Sequence, residues 1–243
     1  MTGSESAKTE KPVWKITWQK EVADKIRGQL KMHMDRNKDE PVKKPLMVSV
    51  VGIPGSGKSV GCEILNDLLA DVGCMVMPFD GYHYPLDYLK SLPEAQDFIY
   101  RRGAPDTFDS GALLRDLNRI KIGEEDIVRI PGFDHARGDP EHDAHAFCRA
   151  NTNIVLVEGL YLLHDSHGFD NLKDIFDLSI FVAADVDDCV GRLKIRNKCI
   201  PGYTPEEIEI RCEKVDRVNA MLVEASKPRA DIIVNSVPYC QIA

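Results

Sequence analysis

Residues 46–69, LMVSVVGIPGSGKSVGCEILNDLL, decide the fold of this chain. An apolar run ends at Gly52, a glycine-rich turn leads to Lys58 and Ser59, and an amphipathic segment follows, which predicts a strand, a phosphate-binding loop and a helix. Glycines let the loop N–H groups point inward, Lys58 reaches the β- and γ-phosphates, and Ser59 can hold a magnesium ion. A glycine turn with an incidental lysine is the alternative, and the flanking strand and helix argue against it. The residues expected to hold the nucleotide are Gly52, Gly55, Ser56, Gly57, Lys58, Ser59 and Val60.

The length and charge of the chain limit the classes of protein to which it can belong. Its 243 residues suit one α/β domain with a small lid or insertion. The 31 basic residues against 39 acidic residues give a net charge of −8. This balance argues against a nucleic-acid or anionic-membrane partner.

The cysteines and the hydropathy pattern predict a cytoplasmic protein. Seven cysteines are scattered along the chain without a C-x-x-C pair, which is typical of a reduced cytosolic protein rather than of a zinc site or a disulfide framework. No apolar run approaches the roughly 18 residues of a membrane span, and the polar N-terminus is unlike a signal peptide.

The chain is predicted to contain a tail, a helix and one domain. Residues 1–12 are polar and aperiodic, as in a disordered tail. Residues 13–40 are predicted to hold an amphipathic helix that ends near Arg36 and either packs on the domain or docks a partner, for example in a homodimer. Residues 41–243 follow as a single domain. The apolar side chains that recur every four positions in this helix are Trp14, Trp18, Val22, Ile26, Leu30 and Met34.

Beyond this helix, apolar strand runs alternate with helical patterns, which predicts a mostly parallel sheet of five central strands flanked by helices. The last helix has a clear start, with Thr204 as N-cap, Pro205 in the first turn and Glu207 in a capping box. The predicted strands are residues 46–51, 74–79, 154–157, 178–182 and 232–234. The predicted helices are residues 59–72, 110–120, 187–197 and 205–226.

Two stretches fit the alternation poorly, residues 81–109 and residues 130–150. They are rich in Pro, Gly, Asp, Tyr, Arg and His. Long connections at the carboxyl ends of parallel strands are where ligands of open α/β sheets bind. We therefore expect these two loops on the substrate side.

Two acidic residues follow predicted strands. Asp80 follows the second strand run, where a carboxylate could orient an acceptor hydroxyl and take its proton; the alternative is a cap for the turn at Gly81. Glu158 follows the third run and could hold a magnesium ion through water, or form a structural hydrogen bond at the strand end.

Arg192 and Arg196 lie four residues apart, on one face of a predicted helix. Such a pair could belong to a lid, about residues 187–212, that closes over phosphates and stabilises transition-state charge. A solvated charged face is the alternative. Arg211 could reach in from the next helix.

The remaining candidate side chains lie in the two predicted loops. Arg101 and Arg102 could clamp an anionic group of the acceptor, while Asp106 and Asp109 could bind its hydroxyls; an ion pair within the loop is the alternative. His83 is the favoured functional histidine. The histidines for which a metal site is a weak hypothesis are His135, His142 and His145.

These motifs resemble the phosphoribulokinase, uridine kinase and bacterial pantothenate kinase group of phosphate-loop kinases, over about residues 46–235. The likeness is greatest to members named only as nucleoside or nucleotide kinases. It implies a P-loop NTPase fold with a five-stranded parallel sheet and a helical lid, ATP with Mg²⁺, and a small-molecule hydroxyl as acceptor. The segments that carry it are GIPGSGKS, FDGYHYP, RRGAPDTFD, PGFDHARGDP, VLVEGLYLL and RLKIRNKCIPGYTPEEIEIR.

The resemblance also assigns roles to residues. Asp80 corresponds to the catalytic aspartate of the group, Lys58 and Ser59 to its phosphate-loop residues, and Arg192 and Arg196 to its lid arginines. Asp80, Lys58, Arg192 and Arg196 are therefore the expected catalytic residues, and Ser59 with Glu158, which follows the third strand run, is the expected metal site. The expected substrate contacts are Tyr82, His83, Arg102, Asp106, Phe108, Phe133 and His135. The DGYH segment differs from its counterpart in uridine kinases, and the pyrimidine loop is echoed only loosely, so the resemblance leaves the acceptor open among nucleosides, pantothenate-like compounds and sugars.

The sequence therefore predicts an ATP-dependent kinase for a small metabolite. A non-catalytic ATP-binding regulatory protein of the same fold is the alternative. A GTPase is disfavoured, because residues 197–200, NKCI, lack the aspartate of the guanine-reading N-K-x-D pattern.

Overall fold

A computed structural model describes residues 17–172, 174–199 and 203–236 of the chain. The predicted tail and Trp14 lie outside these ranges. The helices are α1 Gln19–Arg36, α2 Lys58–Leu68, α3 Leu86–Ser91, α4 Ala95–Tyr100, α5 Ser110–Ile122, α6 Val186–Arg196, α7 Pro205–Arg211 and α8 Arg217–Ala225. The strands are β1 Leu46–Val51, β2 Cys74–Pro78, β3 Ile127–Asp134, β4 Asp139–Cys148, β5 Ile154–Gly159, β6 Leu178–Ala183 and β7 Ile232–Asn235.

Five strands form one parallel sheet in the order β2-β5-β1-β6-β7. The predicted α/β class and the predicted five strands are therefore confirmed. β1 lies at the centre and is buried along its whole length, as is typical of a parallel strand covered on both faces. β5 separates β1 from β2, so Asp80 follows a strand two places from the phosphate loop rather than its direct neighbour.

Helices cover both faces of the sheet and make two apolar cores. On one face, α1 and α2 pack over β1 through side chains such as Ile26 and Leu65, both fully buried. On the other face, α5 packs against aromatic residues that include Phe79 and Tyr161. Both faces of the sheet are thus covered. The edge formed by the carboxyl ends of its strands is where the candidate site lies.

Trp18 packs on the domain rather than projecting from it. It precedes α1, and a Cβ atom added at Gly61 of α2 would lie 2.6 Å from its ring. The absence of a side chain at Gly61 therefore makes room for the indole. For this tryptophan, packing on the domain is the interpretation that the contact supports.

The expected loop over residues 130–150 is wrong. β3 and β4 pair there as an antiparallel hairpin, with Ile127 opposite Cys148 and Asp134 opposite Asp139. Residues 141–146 of β4 are exposed, so the outer strand carries no apolar alternation that could reveal it in the sequence. Backbone pairing makes the strand, while Val128, Ile130 and Phe147 anchor the hairpin to the core.

Two other stretches are more structured than the sequence predicts. Residues 81–109 contain α3 and α4 with short 3₁₀ turns instead of an open loop. The helix predicted over residues 205–226 begins at the expected capping box, and a π-helical segment, Cys212–Asp216, separates α7 from α8. Such segments commonly occur at functional sites.

Within the described ranges, no helix combines the length and the apolar character that a membrane crossing requires.

Candidate active site

The phosphate loop follows β1 and is shaped by its glycines. Gly55 and Gly57 have φ angles of +82° and +84°, a region that residues with a Cβ rarely adopt. A Cβ at Gly52 would lie 2.7 Å from Ser56 Oγ and 2.9 Å from the carbonyl oxygen of Val182. The loop can therefore turn tightly over the sheet only because these positions lack side chains.

The loop opens the N-terminus of α2 towards a ligand. α2 begins at Lys58, and no side chain of the described residues caps its first N–H groups. Such amides and the helix dipole attract anions, as the predicted phosphate site requires. Ser59 and Val60 lie in this first turn, while Ser56 is fully buried and supports the loop from within.

Glu158 contacts both the ammonium group of Lys58 and the hydroxyl group of Ser59. It lies in β5 opposite Val50 of β1, and its Oε1 is 3.4 Å from Lys58 Nζ and accepts a hydrogen bond of 3.2 Å from Ser59 Oγ. The strand continues through Glu158 instead of ending before it. A carboxylate and a hydroxyl are oxygen donors of the kind that Mg²⁺ prefers, so this pair fits the predicted metal site.

α6 lies against the loop through one of its two predicted arginines. Arg192 Nη1 donates to the carbonyl oxygen of Gly55 at 2.7 Å, and a Cβ at Gly55 would lie 3.0 Å from the carbonyl oxygen of Cys189. Arg196 lies one turn further along, and its Nε donates to Asn197 Oδ1 at 3.3 Å. The two guanidinium groups therefore share a helix, and Arg192 contacts the loop directly.

A residue that sequence reasoning missed completes the loop. Ser236 follows β7, and its Oγ donates to the carbonyl oxygen of Ser56 at 2.6 Å, while its N–H donates to Ala183 at 2.7 Å. A single serine after a short strand run carries no signal in the sequence. The contact ties the last strand of the sheet to the first loop.

Asp80 lies on a 3₁₀ turn, Phe79–Tyr82, that is packed from two sides. A Cβ at Gly81 would lie 2.6 Å from the carbonyl oxygen of Pro131 in β3, and one at Gly159 would lie 2.6 Å from Phe79 Cβ. The turn is thereby held between the hairpin and β5, and the position of the Asp80 backbone is fixed by this packing.

His83 holds the turn from its carboxyl side. Its Nδ1 is 2.8 Å from the carbonyl oxygen of Asp80, which can only accept, so Nδ1 carries the proton and Nε2 presents a lone pair when the ring is neutral. Desolvation lowers the pKa of His83, although the negative charge of Asp80 opposes the shift. The histidine is consequently neutral at pH 7.

Aromatic rings continue from the turn to the protein surface. Phe108 lies 4.3 Å from Phe79 and 3.9 Å from His83, measured between ring centroids. Phe133 lies 5.0 Å from His83, and the exposed His135 lies 5.2 Å from Phe133. The structure thus brings the predicted residues His83, Phe108, Phe133 and His135 into one stack whose outer end is accessible.

Two of the predicted substrate contacts are corrected by their burial. Tyr82 is 2% exposed and donates its hydroxyl to Asp116 at 2.9 Å, inside the core next to α5. Phe108 is 3% exposed and lies within the stack. Both side chains support the site from beneath and have almost no surface with which to contact a substrate.

The charged side chains of the segment 101–109 form ion pairs and hydrogen bonds within the protein. Arg101 pairs with Asp97 and Asp106, and Asp109 caps α5 by accepting from the N–H of Ala112, so the ion-pair interpretation holds for this loop. Arg102 reaches across to the hairpin, where Nη2 donates to Asp139 at 2.9 Å. Arg102 therefore supports the hairpin, while its buried Nε has no hydrogen-bond partner among the described residues. Its role towards an acceptor stays a prediction.

The end of α7 also reaches this region. Arg211 Nη2 donates to the carbonyl oxygen of Arg102 at 3.0 Å, so this arginine enters from the helix that follows α6, as predicted. In the described part of the chain, no group of three or more His, Cys, Asp or Glu residues could hold a metal ion. The metal hypothesis for His135, His142 and His145 therefore has no structural support.

A parallel five-stranded sheet, a phosphate loop that runs into a helix, and an arginine-bearing helix over that loop define a P-loop kinase. The chain belongs to the Phosphoribulokinase / Uridine kinase family, whose profile matches residues 47–243.

Individual relatives agree with this class. A Schizosaccharomyces pombe protein named as a candidate uridine kinase is 28% identical over 200 residues, which cover 79% of this chain and 83% of that protein. A pantothenate kinase from Streptococcus pneumoniae is 33% identical over 155 residues, or 61% of this chain and 48% of that enzyme. The match to this pantothenate kinase thus spans about half of its length.

A solved structure shows the same fold. A candidate fructose transport system kinase from Silicibacter superposes with a TM-score of 0.75 at 28% identity, covering 90% of this chain and 100% of that chain. The names of these relatives span several acceptors, so the family assigns a P-loop kinase that uses ATP and leaves its substrate open.

Proposed function

We propose that this kinase transfers the γ-phosphate of ATP, with Mg²⁺, to a hydroxyl group of a small metabolite. The observation that carries the proposal is Asp80, a carboxylate on a tightly packed turn at the same sheet edge as the phosphate loop. Phosphoryl transfer depends mainly on positioning and on charge stabilisation, and a fixed carboxylate can orient the attacking hydroxyl and accept its proton.

On the donor side, Lys58 binds the β- and γ-phosphates and Ser59 with Glu158 would hold the metal. The ion pair between Lys58 and Glu158 fits this role, because each partner would exchange the other for a phosphate or a cation when the nucleotide binds. A bound Mg²⁺ neutralises charge that develops on the transferring group. Arg192, already against Gly55, and Arg196 would add positive charge from the lid.

On the acceptor side, the outer end of the aromatic stack supports a planar or hydroxyl-rich substrate. Phe133 is half-buried and His135 is exposed, so both rings are partly available to a ligand, and the lone pair on His83 Nε2 can accept from a hydroxyl. Nucleosides are therefore the first class to test, followed by pantothenate-like compounds and sugars.

The decisive experiment is an ADP-release assay with MgATP and a panel of nucleosides, pantothenate and sugars. We expect at least one acceptor to accelerate ADP release over the rate with ATP alone. The Lys58→Ala variant is the control for contaminating kinases, because it lacks the phosphate-binding ammonium.

The non-catalytic alternative gives a different result in the same experiment. A regulatory ATP-binding protein would gain thermal stability from MgATP by mass action and release no ADP in response to any acceptor. This outcome across a broad panel would contradict the proposed transfer while leaving nucleotide binding intact.

A further inference from the structure

A second cavity, called here the histidine cavity, lies between the segment 101–106, the segment 164–167 and the helical stretch 214–222. Its volume is about 380 Å³. None of the residues that line it belongs to the phosphate loop, the Asp80 turn, the hairpin or α6. Of the residues predicted to contact the substrate, Asp106 lies on its wall. The cavity is distinct from the phosphate loop and from the Asp80 turn.

Two histidines share one hydroxyl on one wall of the cavity. Ser166 Oγ lies 2.8 Å from His164 Nε2 and 2.9 Å from His167 Nδ1, and the two rings stack with their centroids 5.9 Å apart. The hydroxyl has a single hydrogen, so it can donate to one ring and must accept from the other. The arrangement fixes complementary donor and acceptor states on the two imidazoles.

The backbone of His167 has an unfavourable conformation. Its φ angle is +57°, which is uncommon for a residue with a Cβ, and Gly168 follows at +83°. Ser110 Oγ donates to the carbonyl oxygen of His167 at 2.7 Å and keeps the turn in place. Strained residues of this kind cluster at ligand-binding and active sites.

The opposite wall is apolar and open. Val218 and Leu222 of α8 are 50% and 37% exposed, although both are aliphatic. Ala104 and Pro105 extend this surface. At about 30 Å³ per water molecule, the cavity has room for roughly a dozen non-hydrogen atoms.

A positively charged side chain, Lys214, lies at the edge of the cavity. Lys214 is exposed and forms no ion pair with any residue in the described ranges, whereas the other lining cation, Arg101, is paired with Asp97 and Asp106. Desolvation lowers the pKa of His164, so its imidazole contributes hydrogen bonds rather than charge at pH 7. The charged side chains that line the cavity are Arg101, Asp106 and Lys214. Because Arg101 and Asp106 pair with each other, Lys214 supplies the positive charge that remains for a ligand.

We propose that the histidine cavity binds a small amphiphilic anion, an alkyl chain of about six carbons that carries a carboxylate or a phosphate. The anionic head pairs with Lys214 and accepts a hydrogen bond from the imidazole whose other nitrogen accepts from Ser166. The chain lies on Val218 and Leu222.

Bound ligand would act on the acceptor side through the segment it touches. Arg102, next to Arg101, holds the hairpin at Asp139, and Tyr161 Oη donates to the carbonyl oxygen of Gly103 at 2.7 Å. A ligand packed on Ala104 and Pro105 changes the freedom of this segment and hence the KM for the acceptor. This effect on KM rests on the proposed function, whereas the binding itself does not.

Calorimetric titration tests the binding with the phosphate loop saturated by Mg²⁺ and a non-hydrolysable ATP analogue. The probes are hexyl phosphate, hexanoate and hexanol. We expect at least one of the two anions to bind with a Kd below 1 mM, on the order of tenfold tighter than hexanol, and the comparison of the two anions identifies the head group. Equal binding of hexanol would overturn the anion assignment, and no binding of any probe would overturn the site.

Matched variants locate the binding. Val218→Asp places a charge on the apolar wall, and Met221→Asp places one on the same helix outside the cavity. Lys214→Glu removes the rim cation, and Lys38→Glu makes the same change of net charge elsewhere. The first member of each pair should weaken anion binding about tenfold or more, a loss of ~1.4 kcal/mol, and the second should leave it unchanged. Equal affinities within both pairs would mean that the probe binds elsewhere.

Discussion

The neighbours of Asp80 fix the position of its backbone. The carbonyl of Asp80 accepts from the His83 ring, and the turn around it is packed against Pro131 and Gly159. Because this packing fixes the backbone, a change of the carboxylate to an amide should leave the turn in place. The residue can thus be altered chemically without altering the fold.

Asp80→Asn should leave the affinity for ATP near that of the wild type and lower turnover by roughly 10²- to 10⁴-fold, the usual contribution of a general base. The amide retains the shape of the carboxylate and loses its basicity. Steady-state rates with the acceptor found by the panel, together with titration of an ATP analogue, check both halves. Unchanged turnover would remove Asp80 from the proposed role.

His83 makes the stability of the fold depend on pH. Since its folded pKa lies below the ordinary value of 6.5, the unfolded chain binds more protons as the pH falls through and below 6.5, and acidification destabilises the folded protein. Between pH 7 and pH 5.5, the free energy of unfolding should fall by up to about 1 kcal/mol on account of this group.

His83→Asn should flatten that dependence, because its amide can donate to the Asp80 carbonyl and does not titrate. Urea denaturation of both proteins at several pH values in this range gives the comparison. Parallel curves for the two proteins would assign the acid sensitivity to other groups.

At the scale of elements, the site is defined by how closely the Asp80 turn and the β3–β4 hairpin approach each other. No atom beyond a hydrogen fits on Gly81, where a Cβ would lie 2.6 Å from a backbone oxygen of β3. Backbone cannot move aside as a flexible side chain can. The hairpin and the turn therefore act as one unit.

Gly81→Ala should destabilise the protein by about 1–3 kcal/mol, the usual cost of overpacking, and should raise the KM for the acceptor more than that for ATP. Gly28→Ala is the matched control. Gly28 is an exposed position in α1 with no atom within 4 Å of an added Cβ, so the same change should stabilise the fold by about 0.5–1 kcal/mol. Thermal and urea unfolding measure both effects, and a Gly81→Ala protein as stable as the wild type would contradict the close packing.

The elements that could be predicted from the sequence are those whose burial leaves a pattern. β1, β5 and β6 are covered on both faces and read as continuous apolar runs, and the phosphate loop needs its glycines for steric reasons. β4 could not be predicted because its residues 141–146 are exposed and show no apolar alternation, while its backbone pairs with β3.

Contacts between residues that lie far apart in the sequence could not be predicted from it either. Ser236 meets Ser56 only once the sheet has formed, and Asp139 supports Arg102 only because the hairpin folds back over the segment. No spacing between neighbouring residues in the sequence predicts such pairs. For the same reason, Tyr82 could be taken from the sequence as a substrate contact although it lies inside the core.

At the scale of the whole molecule, Arg149 fastens several parts together at the end of the hairpin. It is 4% exposed and donates to four backbone carbonyls, those of Lys43, Arg119, Ile120 and Glu125. These carbonyls belong to the approach to β1, the end of α5 and the turn before β3. One side chain thus satisfies acceptors from three separate segments.

Arg149→Met should destabilise the protein by about 3 kcal/mol, because methionine fills similar space and leaves the carbonyls without their donor. Arg129→Met, at an exposed position of β3, should stay within about 0.5 kcal/mol of the wild type. Urea denaturation measures both. Similar stabilities for the two variants would show that water replaces the guanidinium at no cost.

The strand order has a consequence for the time course of synthesis. β1 is made before its neighbours in the sheet. These are β5 and β6, the segments Ile154–Gly159 and Leu178–Ala183, which follow it by more than 100 residues. Until they arrive, the most apolar strand of the chain has no partner and is open to aggregation. The contact between Ser236 and the phosphate loop forms later still, since Ser236 follows both of these strands in the chain. The growing chain therefore completes its phosphate loop only after all five strands of the sheet have been made.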